Sequence, residues 1–242
     1  MDTIKITGKK VPMIAHRGMS GLERENTNAA FVAAGNRSYY GIETDIHKTL
    51  DGKYVVIHDE STKRVTNGRI DIDVEKHNYD DVKDLVLPDL DGSLERSDIR
   101  IPLLHEYIRI CKKYEKVSVL ELKNLFAEED ILEIIQIIQQ EGYLDRVIFI
   151  SFVLENCLIL RKHLPEQPVQ WLIGGEVNEE IKDILYTNHF DLDVYYKQLS
   201  EDLIQELHEH KVLVNCWTCD NKEEAEAVIT MGVDFITSNI LE

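Results

Sequence analysis

The chain has 242 residues, is 43% hydrophobic and carries a formal net charge of −18. Its length and hydrophobic fraction allow a full core and argue against disorder. Its acidity excludes non-specific attraction to nucleic acid or anionic membrane surfaces, so an anionic substrate must meet a locally positive site.

The first residues, MDTIKITGKKVPMIAHRG, show neither a long apolar run nor a small-residue cleavage site, so no signal peptide is expected. No stretch approaches ~18 continuous apolar residues, so no membrane span is expected either. Cys111, Cys157, Cys216 and Cys219 are too few and scattered for a disulfide framework, and a reducing cytoplasm is the simplest compartment.

In chain order, short β-branched runs occur at 11–16, 41–46, 116–122, 147–152, 168–173, 192–196, 211–217 and 232–237. Between most of them lie helical patterns, from TNAAFVAAGN through AEEDILEIIQIIQQEG to NKEEAEAVITMG. Glu-rich starts and Gly or His ends suit the helix dipole and C-caps. The alternation predicts βαβ units around a parallel sheet. About eight such units fit a closed (β/α)8 TIM barrel better than an open sheet. The expectation is an α/β chain folded as one distorted barrel domain over residues 1–242. Residues 47–101, acidic and loop-rich after the second strand, read as a small insertion or lid. The chain leaves no room for a last helix after the eighth barrel strand. The N-terminal segment or a second copy, in a homo-oligomer, is expected to cover that gap.

Within GIETDIHKTLDGKYVVIHDE (41–60), strand alternation puts Glu43, Asp45 and His47 on one face. Asp51-Gly52 signals a two-residue hairpin. If it closes as a type I′ turn, Leu50 pairs with Lys53 and Asp45 lies opposite His58, with Cβ atoms about 5 Å apart. Such a group either binds a divalent cation or perturbs its own pKa values. A solvated hairpin with ordinary polar residues is the alternative, and His47 is expected to face water beyond the barrel rim.

Other polar groups end strands. His16-Arg17-Gly18 follows MIA, where a barrel's first strand opens onto its active face. Arg offers a planar fork for phosphate oxygens, and Gly permits a tight turn. Glu121 and Lys123 share a face at the end of VSVLELKN, as a structural ion pair or as part of a site. Cys216-Trp217-Thr218-Cys219 has CxxC spacing, but it closes a strand and no second half-site completes a zinc set. Trp217 is better placed as an apolar wall for a ligand. Asn26-Thr27 reads as a helix N-cap, with Glu25 just ahead.

Taken together, HRG (16–18), ENT (25–27), IETDI with T.DG (42–52), VVIHD (55–59), IPLL (101–104), LELK (120–123), NCWT (215–218) and GVDFITS (232–238) resemble the glycerophosphodiester phosphodiesterase family, in family order across almost the whole chain. The resemblance implies a distorted (β/α)8 barrel with one divalent cation, Mg²⁺ or Ca²⁺, held by Glu43, Asp45 and Glu121. It implies His16 and His58 as an acid/base pair, Arg17 and Lys123 as phosphate ligands, Trp217 near the glycerol and Glu25 in a supporting role. The small-molecule substrate would be a glycerophosphodiester, cleaved to glycerol 3-phosphate and an alcohol. Alternatives are a related barrel acting on lysophospholipids or inositol-containing diesters, and a non-catalytic barrel that binds glycerophosphodiesters. The chain departs from the family pattern at Arg24, where Pro is usual, at Leu103 in place of Thr, and at Ser238 in place of Asp. None of these removes an implied catalytic residue.

Overall fold

Side chains alternate faces along a strand, so near-continuous apolar runs give it two burial faces, and a closed barrel uses both. The computed structural model describes residues 2–8 and 11–242. Its strands are β1 (Met13–Ala15), β2 (Gly41–Lys48), β3 (Tyr54–Val56), β4 (Val117–Leu122), β5 (Val147–Ser151), β6 (Val169–Ile173), β7 (Asp191–Tyr195), β8 (Val214–Trp217) and β9 (Phe235–Ser238). All except β3 run parallel, and β1 pairs with both β2 and β9, which closes a TIM barrel. β3 is an extra strand, antiparallel on β2.

The helices are α1 (Asn28–Gly35), α2 (Leu104–Lys113), α3 (Glu128–Gln140), α4 (Leu154–His163), α5 (Glu179–Asn188), α6 (Glu201–Glu209) and α7 (Lys222–Met231). Thr27, Asn178, Ser200 and Asn221 cap four of them, each side chain accepting a first-turn N–H. α5 and α7 stop at left-handed residues, His189 and Gly232.

Parity along the strands sorts the core. Ile42, Leu120, Phe149, Val194 and Ile236 pack in the layer shared with the helices. Ile14, Val117, Val119, Ile148, Ile150 and Leu172 form a separate apolar plug inside the barrel. Glu121 shares the face of Val117 and Val119 but lies nearer the C-terminal end of β4. The plug is therefore the floor of a polar site. At the other end, the N-terminal segment lies along the end of the chain: Ile4 bridges Leu241, and Ile6 N donates to Glu242 O at 2.8 Å.

The hairpin differs from the sequence-based expectation. Its register pairs Ile46 with Val56 and Lys48 with Tyr54, so Asp45 lies opposite Ile57, not His58. Thr49 N donates to Lys53 O at 2.8 Å and Gly52 N to Thr49 O at 2.9 Å, which makes a three-residue loop. Gly52, at φ 75°, takes the left-handed position of that loop. The extra loop residue shifts the register by one.

From Ile57 to Ile101 the chain makes its excursion. It buries a small core of its own from Val55, Ile57, Val65, Val74, Val82, Leu87, Ile99 and Ile101. Arg96 reaches Glu23 at 2.7 Å, and the Arg24 guanidinium donates to the Val65 carbonyl, so the excursion is tied to the loop after β1.

Candidate active site

Three carboxylates meet because of strand register. Asp45 and Glu121 are direct neighbours on β2 and β4, and Glu43 is two residues before Asp45 on the same face. One oxygen from each lies within 4.8 Å of the others, and all three side chains are buried. Lys123 Nζ stands 2.8 Å from Glu121 Oε1 and 3.5 Å from Asp45 Oδ1. Arg17 Nε is 3.4 Å from Asp45 Oδ2, and Arg17 N donates to Glu43 Oε2 at 2.8 Å. Three carboxyl groups thus face two cationic side chains in a largely buried site.

The acids respond differently. Burial pushes Glu43 well above the usual carboxylate range, helped by Asp45 and Glu121. Burial and Asp45 likewise push Glu121 up to about 8. Burial opposes the charge on Asp45 too, but Arg17 and Lys123 overcome it and hold that carboxyl low. Asp45 Oδ1 is buried with no hydrogen bond among the described residues, an acceptor left over. Excess carboxylate charge, an orphaned oxygen and all-oxygen donors fit a hard divalent ion.

Two histidines flank this cluster. His16 follows β1, its Nδ1 2.8 Å from Asn239 Oδ1 and its Nε2 4.0 Å from Glu43 Oε2. Burial, then Arg17, lowers its pKa to about 4. His58 follows β3, its Nδ1 2.6 Å from Asp59 Oδ1. Burial lowers its pKa as well, against the pull of Asp45 and Asp59. Both rings line one cleft of about 120 Å³, together with Arg17, Glu43, Glu121, Lys123 and Trp217.

Glu25 joins the two halves. Arg17 Nη1 donates to its Oε1 at 2.9 Å, and Arg64 donates to its two oxygens at 2.8 and 2.9 Å. Arg64 also grips Asp59, with Nε 2.7 Å from Oδ2. An ion-pair chain thus runs from His58 through Asp59, Arg64, Glu25 and Arg17 to Asp45. Arg64 and Arg17 outweigh burial and hold Glu25 down to about 2. Phe152 meets Trp217 edge-on with ring centroids 5.6 Å apart, and Tyr195 stands 5.9 Å from Trp217 on the other strand, so the indole is walled by aromatics.

Several residues behave differently from their sequence reading. His47 does not face water: it is buried, with Nδ1 2.9 Å from Glu75 Oε1 and Nε2 3.0 Å from the His58 carbonyl. The excursion folds back over it, and the ring braces the segment that carries His58. Asn26 does more than precede a cap. Its Nδ2 donates to Asp45 Oδ2 at 2.7 Å, and Thr44 Oγ1 donates to its Oδ1 at 2.8 Å. Arg64, Asn239 and Asp220 carried no sequence signal beyond being polar, and Asp59 entered only as the last residue of the VVIHD run. Cys216 and Cys219 are buried free thiols, both pushed up in pKa by burial and so poor redox nucleophiles.

Gly18 makes the turn after Arg17. At φ 75°, a Cβ there would sit 2.7 Å from the Ala30 carbonyl carbon. Gly18→Ala is expected to cost about 2 to 5 kcal/mol, the sum of a left-handed alanine and the overlap. Thermal unfolding measures the loss; an unchanged Tm would show that the turn relaxes freely.

The chain matches the sequence model described as the glycerophosphoryl diester phosphodiesterase family over residues 16–241. A glycerophosphodiester phosphodiesterase of Caldanaerobacter subterraneus subsp. tengcongensis is 30% identical over 239 residues, covering 95% of this chain and 94% of that protein. A solved glycerophosphodiester phosphodiesterase from Parabacteroides distasonis is 26% identical with a TM-score of 0.78, covering 99% of this chain and 94% of that one. A phosphodiesterase from Oleispira antarctica, solved with the product sn-glycerol-3-phosphate, shares the fold at a TM-score of 0.86 and 24% identity, covering 95% of this chain and 93% of that one. The match spans nearly the whole chain, which belongs to the glycerophosphoryl diester phosphodiesterase family and is an enzyme of it.

Proposed function

We infer that this enzyme hydrolyses glycerophosphodiesters to glycerol 3-phosphate and an alcohol, using His16 and His58 as its acid/base pair and one divalent cation, Mg²⁺ or Ca²⁺. The observation that carries the reading is the convergence, at one cleft, of two imidazoles, two cationic side chains and a cluster of three buried carboxylates from two neighbouring strands.

Glu43, Asp45 and Glu121 would hold the cation, and when bound it supplies positive charge for the phosphoryl oxygens. Arg17 and Lys123 add charge from the protein itself and orient the diester. Arg17 Nε and Trp217 Nε1 are buried without hydrogen-bond partners among the described residues, so both are donors available to a phosphate or glycerol oxygen. With Nδ1 of each histidine engaged, each Nε2 is free for proton transfer. One histidine takes the proton of the attacking oxygen, and the other protonates the departing alcohol. A transient cyclic phosphate identifies attack by the glycerol 2-hydroxyl; direct appearance of glycerol 3-phosphate identifies attack by water. Residues 47–101 act as the lid of a single catalytic barrel, clipped down through Arg24, Arg64 and Arg96.

An assay over glycerophosphocholine, glycerophosphoethanolamine, glycerophosphoinositol and lysophosphatidylcholine, with Mg²⁺ or Ca²⁺, tests this, read by released glycerol 3-phosphate for the first three and by released choline for the last. Turnover of the water-soluble glycerophosphodiesters is the expected outcome. Turnover of lysophosphatidylcholine alone would move the enzyme to lysophospholipids, and binding without turnover would make it a non-catalytic barrel.

A further inference from the structure

The partner of His16 is an amide, not a carboxylate, and an amide has two orientations. Asn239 Oδ1 facing the ring accepts from Nδ1–H, whereas Nδ2 facing the ring requires a bare Nδ1. Ser20 Oγ, 2.6 Å from the same amide atom and 2.7 Å from the His16 carbonyl, can donate or accept and so allows both. Asp220 does not. Its Oδ2 lies 2.6 Å from Asn239 Nδ2, and its Oδ1 accepts from Asn239 N at 2.7 Å and Ser238 Oγ at 2.8 Å. A carboxylate only accepts, so it fixes the Asn239 amide nitrogen toward itself and the amide oxygen toward His16.

The geometry points to Asp220 as a positioning residue that acts through Asn239 to hold neutral His16 in its Nδ1–H tautomer, with a bare Nε2 turned to the cleft. Asp220 itself is exposed on the loop after β8. It belongs neither to the carboxylate cluster nor to the residues that line the cleft. This role rests on the reading of His16 as one of the acid/base pair, because only then does the tautomer matter to turnover.

Asp220→Asn separates this from a structural role. The substituted amide keeps one oxygen to accept from Ser238 Oγ and Asn239 N, but it presents N–H where Oδ2 was. Asn239 then turns its oxygen toward position 220 and its nitrogen toward His16, which inverts the tautomer to Nε2–H. Nitrogen NMR of His16 in the Mg²⁺-loaded protein above neutral pH, assigned by its absence in His16→Ala, reads this directly. The expected result is Nδ1–H in the natural protein and Nε2–H in Asp220→Asn, with kcat lower by at least about tenfold and KM little changed. In an Asn239→Ala background, Asp220→Asn adds no further loss. A natural protein with Nε2–H overturns the assignment, as does an Asp220→Asn variant that keeps the tautomer, or one that inverts it with unchanged kcat. The two readings fail separately: near-normal turnover in His16→Ala removes the acid/base role, and an unmoved tautomer removes the positioning role.

Discussion

Alanine at His58 or at His16 is expected to cut turnover at least about a hundredfold while the protein stays folded. Each ring makes a single side-chain hydrogen bond, to Asp59 and to Asn239, and each borders the cleft rather than the apolar plug. Little packing is lost with either. The two variants differ in their surroundings. Loss of His58 leaves Asp59 still held by Arg64, so the ion-pair chain survives. Loss of His16 frees the Asn239 amide oxygen, which Ser20 can still satisfy. Near-normal turnover in either variant, with unchanged Tm, would defeat the two-histidine scheme.

Removing the divalent ion is expected to abolish activity, and Mg²⁺ or Ca²⁺ should restore it. The physical cause is the unbalanced charge of three buried carboxylates against one Arg and one Lys. It also makes a prediction free of any assay. Folding raises the pKa of Glu43 and Glu121 above their unfolded values, so between about 4.5 and about 8 these two groups bind more protons in the folded ion-free protein than in the unfolded chain. This contribution to stability is therefore lost as pH rises through that window. A cation held by the three carboxylates would replace those protons. Added Mg²⁺ should raise Tm most at the alkaline end, by the equivalent of about 2.7 kcal/mol at a hundredfold excess over Kd. Glu43→Gln should be less sensitive to pH without metal, and should lose most of the Tm gain. Full activity in rigorously metal-free buffer would remove the ion from the mechanism.

Much of the barrel was legible because strand and helix periods differ and each buried face repeats its period. Among the described residues, the eight barrel strands and the seven α-helices lie where apolar runs and helical patterns suggested. Alternation alone put Glu43 and Asp45 on one face. What it could not supply was lateral register. Asp45 meets Glu121 because Gly41 pairs with Val117, a choice made by packing between strands far apart in sequence. The hairpin misreading has the same root: Asp-Gly suits a two-residue turn, but Thr49 accepts the Gly52 N–H and lengthens the loop. His47 read as exposed because nothing local shows that the 57–101 segment returns over it. Arg64, Asp220 and Asn239 act through long-range hydrogen bonds, and polar residues in loops carry no pattern that reveals such partners.

Diffraction from crystals soaked with Mn²⁺ at saturating concentration, recorded for its anomalous signal, tests the convergence of strands on one ion most directly. A single strong peak among the carboxylates of Glu43, Asp45 and Glu121, lost in Glu43→Gln crystals, is the expected result. A peak elsewhere, or none in well-diffracting crystals, contradicts it.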